Sequence, residues 1–183
     1  MHDPQLTTAR LLLRKAQLSD AATFLKLYNE DCFIHNIRDK KLRTIDAVER
    51  DLETTFADHY QEHGYGLLSM QLADGTCIGQ CGLIKRPELE LPEIGFALLR
   101  KYHNQGYVSE AAYEILRYAF EDLQLERLAG LVKPDNMASI RVLTKLNMKF
   151  IKGFNIVADE PQVKYFELTR DDYLKQHNTG GKS

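Results

Sequence analysis

Apolar positions recur along this chain at two alternating periods. A short apolar run between charges, residues 10–15, predicts a strand leading into a helix over residues 19–29, with Ser19 or Asp20 offering a side-chain oxygen to its first-turn amides. A second helix is predicted over residues 45–62, capped by Thr44, with Val48, Leu52, Thr55 and Phe56 on one face. Between the two lies a polar loop, residues 31–43, which carries His35, Arg38, Lys40 and Lys41. The period then shortens. Residues 66–72 and 77–85 read as strands around the turn Ala73-Asp74-Gly75-Thr76, a hairpin, and residues 92–99 read as a third strand.

Residues 107–123 place Ala111, Ala112, Ile115, Leu116, Ala119, Phe120 and Leu123 at three- and four-residue spacings, the pattern of a helix buried along one face. Residues 127–132 are apolar on both faces, as in a central strand, and Pro134 stops them. A helix over 136–146 follows, then strands over 149–154 and 163–169 joined by a loop containing Asp159, Glu160 and Pro161. This order predicts an α/β (α+β) protein: a mixed, mainly antiparallel central sheet flanked by helices. One domain over residues 1–176 accounts for it, with 177–183 a flexible tail.

Composition narrows the partners. Hydrophobic residues are 44% and charged residues 27% of the 183, the balance of a packed globule. A net charge of −2 and a pI near 6.3 provide no broad positive field for a phosphate backbone, so nucleic acid is not expected as a partner. Cys32, Cys77 and Cys81 lack metal-ligand spacing and are expected as reduced core thiols, with no metal. No stretch approaches the roughly 20 apolar residues of a bilayer span, so no membrane partner and a cytoplasmic location are expected. The chain is expected to be a monomer or a homodimer.

The strongest chemical feature is the stretch from Arg100 to Ala111, a turn between a strand and a long helix. Such a turn directs successive backbone amides into one concavity, and the free amides and dipole of the helix N-terminus add positive charge, which suits a pyrophosphate. Gly106 permits close backbone approach, and Asn104 tolerates a left-handed conformation. Ordinary turn chemistry is the competing reading.

The same stretch, His103-Asn104-Gln105-Gly106-Tyr107-Val108, resembles the Q/R-x-x-G-x-G/A cofactor motif of the GCN5-related N-acetyltransferases (GNAT), with His103 and Val108 departing from it. The wider pattern resembles the RimJ/RimL-like branch of ribosomal-protein N-terminal acetyltransferases. Its elements are Thr8-Ala9-Arg10-Leu11-Leu12-Leu13-Arg14 with Asp20-Ala21, Cys77-Ile78-Gly79, Glu93-Ile94-Gly95-Phe96, Asn136-Met137-Ala138-Ser139 and Lys145-Leu146-Asn147-Met148. The resemblance implies a GNAT-like fold, acetyl-CoA as co-substrate, and an amine acceptor such as a protein N-terminus. It also implies cofactor contacts from residues 103–109, that is His103, Asn104, Gln105, Gly106, Tyr107, Val108 and Ser109, and from Asn136.

Acetyl transfer from a thioester needs a neutral amine, whereas a lysine titrates near about 10.4 and an α-amine near about 7.7 to 8.0, so a base must remove a proton. The resemblance implies Glu93 for this, through water; an ion-paired strand carboxylate is its alternative. It implies Ser139 as donor to the leaving thiolate, in place of a tyrosine that many relatives carry where this chain has Leu143; the alternative is a packing residue. Asn136 holds the pantetheine arm or caps its helix. A backbone amide of Phe96, Ala97 or Leu98 meets the developing oxyanion. His35, His59 and His63 are expected at the surface. Acceptor contacts are expected from the 31–43 loop, the first two helices and the final hairpin. A small-molecule amine acetyltransferase and a non-catalytic acyl-CoA-binding module remain alternatives.

Overall fold

A computed structural model describes residues 5–156 and 161–178. Two antiparallel strands open the chain, β1 (Gln5–Thr7) and β2 (Leu11–Lys15). Helices α1 (Ala21–Tyr28), α2 (Asp31–Asn36), α3 (Ile45–Asp51) and α4 (Ala57–His63) follow, the last two joined by a π-helical stretch (Leu52–Phe56). Strands β3 (Leu67–Leu72), β4 (Cys77–Ile84) and β5 (Glu93–Leu98) lead to α5 (Tyr107–Arg117), which continues as a second π-helical stretch (Tyr118–Asp122). Then come β6 (Arg127–Val132), α6 (Met137–Lys145), β7 (Lys149–Phe154), β8 (Val163–Thr169) and α7 (Arg170–Asn178). The sheet order is β1-β2-β3-β4-β5-β6-β8-β7, antiparallel throughout except for β5 beside β6. The fold class is the one expected.

Helices cover both faces. On one, the apolar stripe of α5 (Ala111, Ala112, Ile115, Leu116) packs on Leu68, Met70, Ile78 and Leu83 of the sheet. On the other, Phe24, Leu27 and Tyr28 of α1 join Phe33 of α2, Val48 and Leu52 against Cys77, Ala97 and Leu99. Each such large side chain contributes roughly 1.5 to 3 kcal/mol when fully buried. β4 is buried on both faces because it lies mid-sheet between the two layers.

Three elements escape the periodicities. β1 is three residues long and only Leu6 is buried, too short to show alternation. The 31–43 loop is helical over α2, anchored by Phe33 alone. α7 occupies part of the expected tail; it is polar and anchored by Tyr173, whose ring lies 5.0 Å from that of Phe120 and whose hydroxyl donates to Glu121. Residues 179–183, and Asp159 and Glu160 of the expected loop, lie outside the described residues. Within 45–62, Thr44 caps as expected, accepting from the Ala47 amide, but Thr55 is exposed. The π-helical stretch around it changes the angular step per residue.

Neither Ser19 nor Asp20 caps α1 through its side chain. Asp20 is instead 3% exposed, its two oxygens bound by Arg14 at 2.8 and 2.9 Å. The Ser69 hydroxyl and the Gln17 amide donate to the same carboxylate. The pair ties β2 and β3 to the start of α1.

Candidate active site

The sheet opens between β5 and β6. Their parallel pairing is confined to Glu93 beside Ala129, with the Ala129 amide donating to the Pro92 carbonyl at 2.8 Å. Beyond it, Phe96 to Leu98 remain paired only with β4. Hydrogen-bonding direction alternates along a strand. The Leu99 amide donates to Ile78 of β4, so the main chain of Ala97 also faces β4 and that of Phe96 and Leu98 faces the opening. Among the three amides expected to meet an oxyanion, only those of Phe96 and Leu98 have the right direction.

A cleft of about 460 Å³ runs from this opening along the 103–109 turn, between α5 and α6. A second, about 770 Å³, lies on the side of Glu93 and the start of β8. Five residues line both: Asn36, Ile37, Phe96, Asn136 and Ser139. The two clefts therefore meet beside the Ser139 side chain.

The turn is an amide cradle. Asn104 has φ 59° and Gly106 φ 82°, the left-handed geometry expected of both. The first α5 bond runs from the Glu110 amide to the Gly106 carbonyl at 3.0 Å, and among the described residues no acceptor takes the amides of Gln105 to Ser109. The N-terminal segment secures this turn. Arg10 donates to the Gln105 carbonyl at 2.9 Å and to Glu110 at 2.6 Å, and its guanidinium lies 4.4 Å from the Tyr107 ring centre. The Thr8 hydroxyl and the Arg10 amide also donate to Glu110. Burial pushes the Glu110 carboxyl up, but these donors outweigh it and hold the group below the usual range.

Of the residues expected at the cofactor, Phe96, Ala97, Leu98, Asn136, Ser139 and the turn residues surround the first cleft, except Gln105. The Gln105 side chain donates back to the Lys101 carbonyl, so it braces the turn. His103 Nε2 bonds the Leu98 carbonyl at 2.8 Å, which ties the turn to the end of β5. Asn136 caps α6, its Oδ1 accepting from the Ser139 amide at 3.1 Å; its amide group is left over from that bond. Asn147 ends α6 at φ 58°, as expected.

Glu93 is 4% exposed and receives the Nε–H of Arg86. Burial pushes its carboxyl up; the Arg86 charge and hydrogen bond and the Leu131 amide oppose this without cancelling it. The ion-paired reading of Glu93 is thus present, at a wall of the second cleft.

Sequence reasoning missed several lining residues. Arg141 and Lys145, four apart on α6, present cations to the first cleft, a spacing that could have been read as one helix face. Arg86 lines the second and carried no pattern; Arg38, which also lines it, belongs to the 31–43 loop expected at the acceptor. Of the expected acceptor elements, residues 36–38 and the final hairpin reach the second cleft; α1, α3 and α4 contribute nothing to it among the described residues.

His35 is exposed, as expected, whereas His59 and His63 are half-buried. His35 Nε2 lies 3.0 Å from Asp135, and the Lys133 ammonium donates to the His35 carbonyl, so α2 is clasped to the loop before α6. His59 accepts from the Lys85 amide and bonds the Tyr65 carbonyl, both at 2.9 Å. Cys77 and Cys81 are buried, whereas Cys32 is half-buried and lines the first cleft. Among the described residues, no helix is long and apolar enough to cross a membrane, and no group of three metal-ligating side chains occurs.

The family model described as an acetyltransferase (GNAT) domain matches residues 10–149. The protein YkkB of Bacillus subtilis is 31% identical over 159 residues, covering 81% of this chain and 87% of its own. An FsC-acetyl coenzyme A-N(2)-transacetylase of Aspergillus fumigatus is 32% identical over 118 residues, 56% of this chain and 50% of its own. The crystal structure of a GNAT-family acetyltransferase from Bacillus anthracis has the same fold, with a TM-score of 0.76 at 23% identity over 92% of this chain and 99% of that one. With an amide cradle beside an opened strand pair and a family match over most of its length, the chain belongs to the GNAT acetyltransferases.

Proposed function

We propose that this acetyltransferase moves the acetyl group of acetyl-CoA directly onto a primary amine, the terminal amine of a protein or peptide, that enters through the second cleft. The single observation carrying this is the meeting of the two clefts at Ser139 and Phe96, which lets a thioester from one side face an amine from the other.

Acetyl-CoA is the donor used by GNAT enzymes, and its chemistry fits the first cleft. The free amides of residues 105–109 suit its pyrophosphate, and Arg141 and Lys145 suit its remaining phosphate charge. The leftover Asn136 amide group can donate to the pantetheine arm. The amine attacks the thioester carbonyl, forming the C–N bond. The Phe96 or Leu98 amide meets the oxyanion as it develops. When the C–S bond breaks, the Ser139 hydroxyl donates to the departing sulfur, and the amine proton passes through water to Glu93.

Gly106→Val tests the cradle. A valine at φ 82° is strained by roughly 1 to 2 kcal/mol, and its Cβ would lie 3.3 Å from the Arg10 guanidinium. The expected result is an acetyl-CoA affinity about tenfold weaker by calorimetry, with the fold retained. Unchanged affinity would remove the turn from the binding site.

Mass spectrometry of peptides and small amines incubated with enzyme and acetyl-CoA tests the whole reading. The expected product is a peptide heavier by one acetyl group at its N-terminus. Acetylation of small amines alone would move the acceptor to that class, and acetyl-CoA binding without any product would leave a non-catalytic acyl-CoA module.

A further inference from the structure

The charges around the acceptor cleft are unevenly neutralised. Five charged side chains among the described residues line it: Arg38, Arg86, Lys133, Glu93 and Asp135. Both carboxylates are already engaged, Glu93 by Arg86 and Asp135 by His35. The Lys133 ammonium is held by the His35 carbonyl. Arg38 is exposed, and among the described residues no hydrogen bond or ion pair engages its guanidinium. Arg86, which also lines the cleft, gives its Nε–H to Glu93, and among the described residues no acceptor takes the other N–H groups of its guanidinium. The cleft walls between these groups include an apolar set, Leu67, Ile84, Ile94, Leu131 and Val163, beside the polar Gln80 and Gln162.

We infer that the acceptor carries a carboxylate close to its reacting amine, bound by Arg38 and the outer edge of Arg86, with an apolar segment against the walls. This deepens the proposed function and rests on its assignment of the second cleft to the acceptor. A guanidinium without a partner beside a cleft is a ready site for a planar anion, because its paired N–H groups match the two carboxylate oxygens. A polycationic amine would meet two like charges there and find no free carboxylate among the described lining residues. The carboxylate can be the α-carboxylate of a free amino acid or an acidic side chain near a peptide N-terminus; both present the same group.

Binding of acetylated products separates this inference from the catalytic reading, since it needs no turnover. N-acetyl-leucine and N-acetyl-leucinamide differ only in charge, as do the acetylated peptides acetyl-Ala-Asp-Ala-amide and acetyl-Ala-Asn-Ala-amide. Calorimetry on the intact protein with CoA bound is expected to show the anionic member of one pair tighter by about fivefold, the size of one solvent-facing ion pair. Preference within the leucine pair identifies a free amino acid, and preference within the peptide pair identifies an acidic N-terminus. Arg38→Gln should bring the ratio toward one, while Arg50→Gln, an exposed cation outside both clefts, should leave it in place. Equal affinities, a preference for the neutral members, no binding of any of them, or a ratio indifferent to Arg38→Gln would overturn the inference. A charge preference accompanied by no acetylation of the corresponding amines would leave it standing and sink the catalytic reading instead.

Discussion

Glu93→Gln is expected to lower kcat by about a hundredfold or more, the usual contribution of a positioned base. The KM for acetyl-CoA should hold within about twofold, because Glu93 lines the second cleft and not the first. The pH dependence supplies the sign. Burial raises the Glu93 pKa above the ordinary carboxylate range, and only the ionised form accepts a proton, so kcat falls as pH drops through that raised value. In Glu93→Gln this limb should vanish. Arg86→Leu removes the charge that opposes burial and should move the limb to higher pH, whereas a purely structural pair would show lost stability and no moving limb. Steady-state rates across pH for the three proteins decide the matter: an unchanged kcat and profile in Glu93→Gln would exclude Glu93 as the base.

The second large effect lies at a pair that lines neither cleft. Asp20→Ala strands the Arg14 guanidinium, which is only 9% exposed, and breaking such a buried pair costs roughly 3 to 5 kcal/mol. For a domain of this size that corresponds to a fall in Tm of about 10 °C. Replacing both partners, Arg14→Met with Asp20→Leu, should recover most of the loss, because no uncompensated charge remains. Burial alone would raise the Asp20 pKa; the Arg14, Gln17 and Ser69 donors outweigh it, and the folded value lies below the ordinary one. The sign follows. The stabilisation is fully present above the ordinary aspartate pKa and is lost as pH falls through the lowered folded value. Thermal melts of wild type and Asp20→Ala should therefore converge in strong acid. A Tm loss under about 2 °C in the single variant would show that the pair holds nothing together.

These two residues also mark what was readable in advance. The Arg10, Arg14 and Asp20-Ala21 pattern is visible in the chain as a family resemblance, yet its physical work appears only when strands and helices distant in sequence meet. Arg10 reaches 100 positions along to Glu110 to hold the 103–109 turn, and Arg14 closes on Asp20 beneath α1. An apparent helix cap becomes a buried ion pair because the β2 and β3 side chains arrive beside it.

By itself the sequence determined the elements whose periodicity persists over many residues: the α5 stripe, the β3–β4 hairpin, the doubly apolar β6, and the mixed sheet they build. It also determined the shape of the 103–109 turn, because left-handed backbone at Asn104 and Gly106 and a free helix N-terminus are local properties. Only the tertiary structure decided where β5 and β6 part, which amides of β5 face the gap, that Glu93 is buried against Arg86, and that Arg38 lines the second cleft without a hydrogen bond or ion pair among the described residues. Those outcomes depend on neighbours brought together from distant parts of the chain, and burial and charge pairing are properties of such neighbours rather than of local sequence.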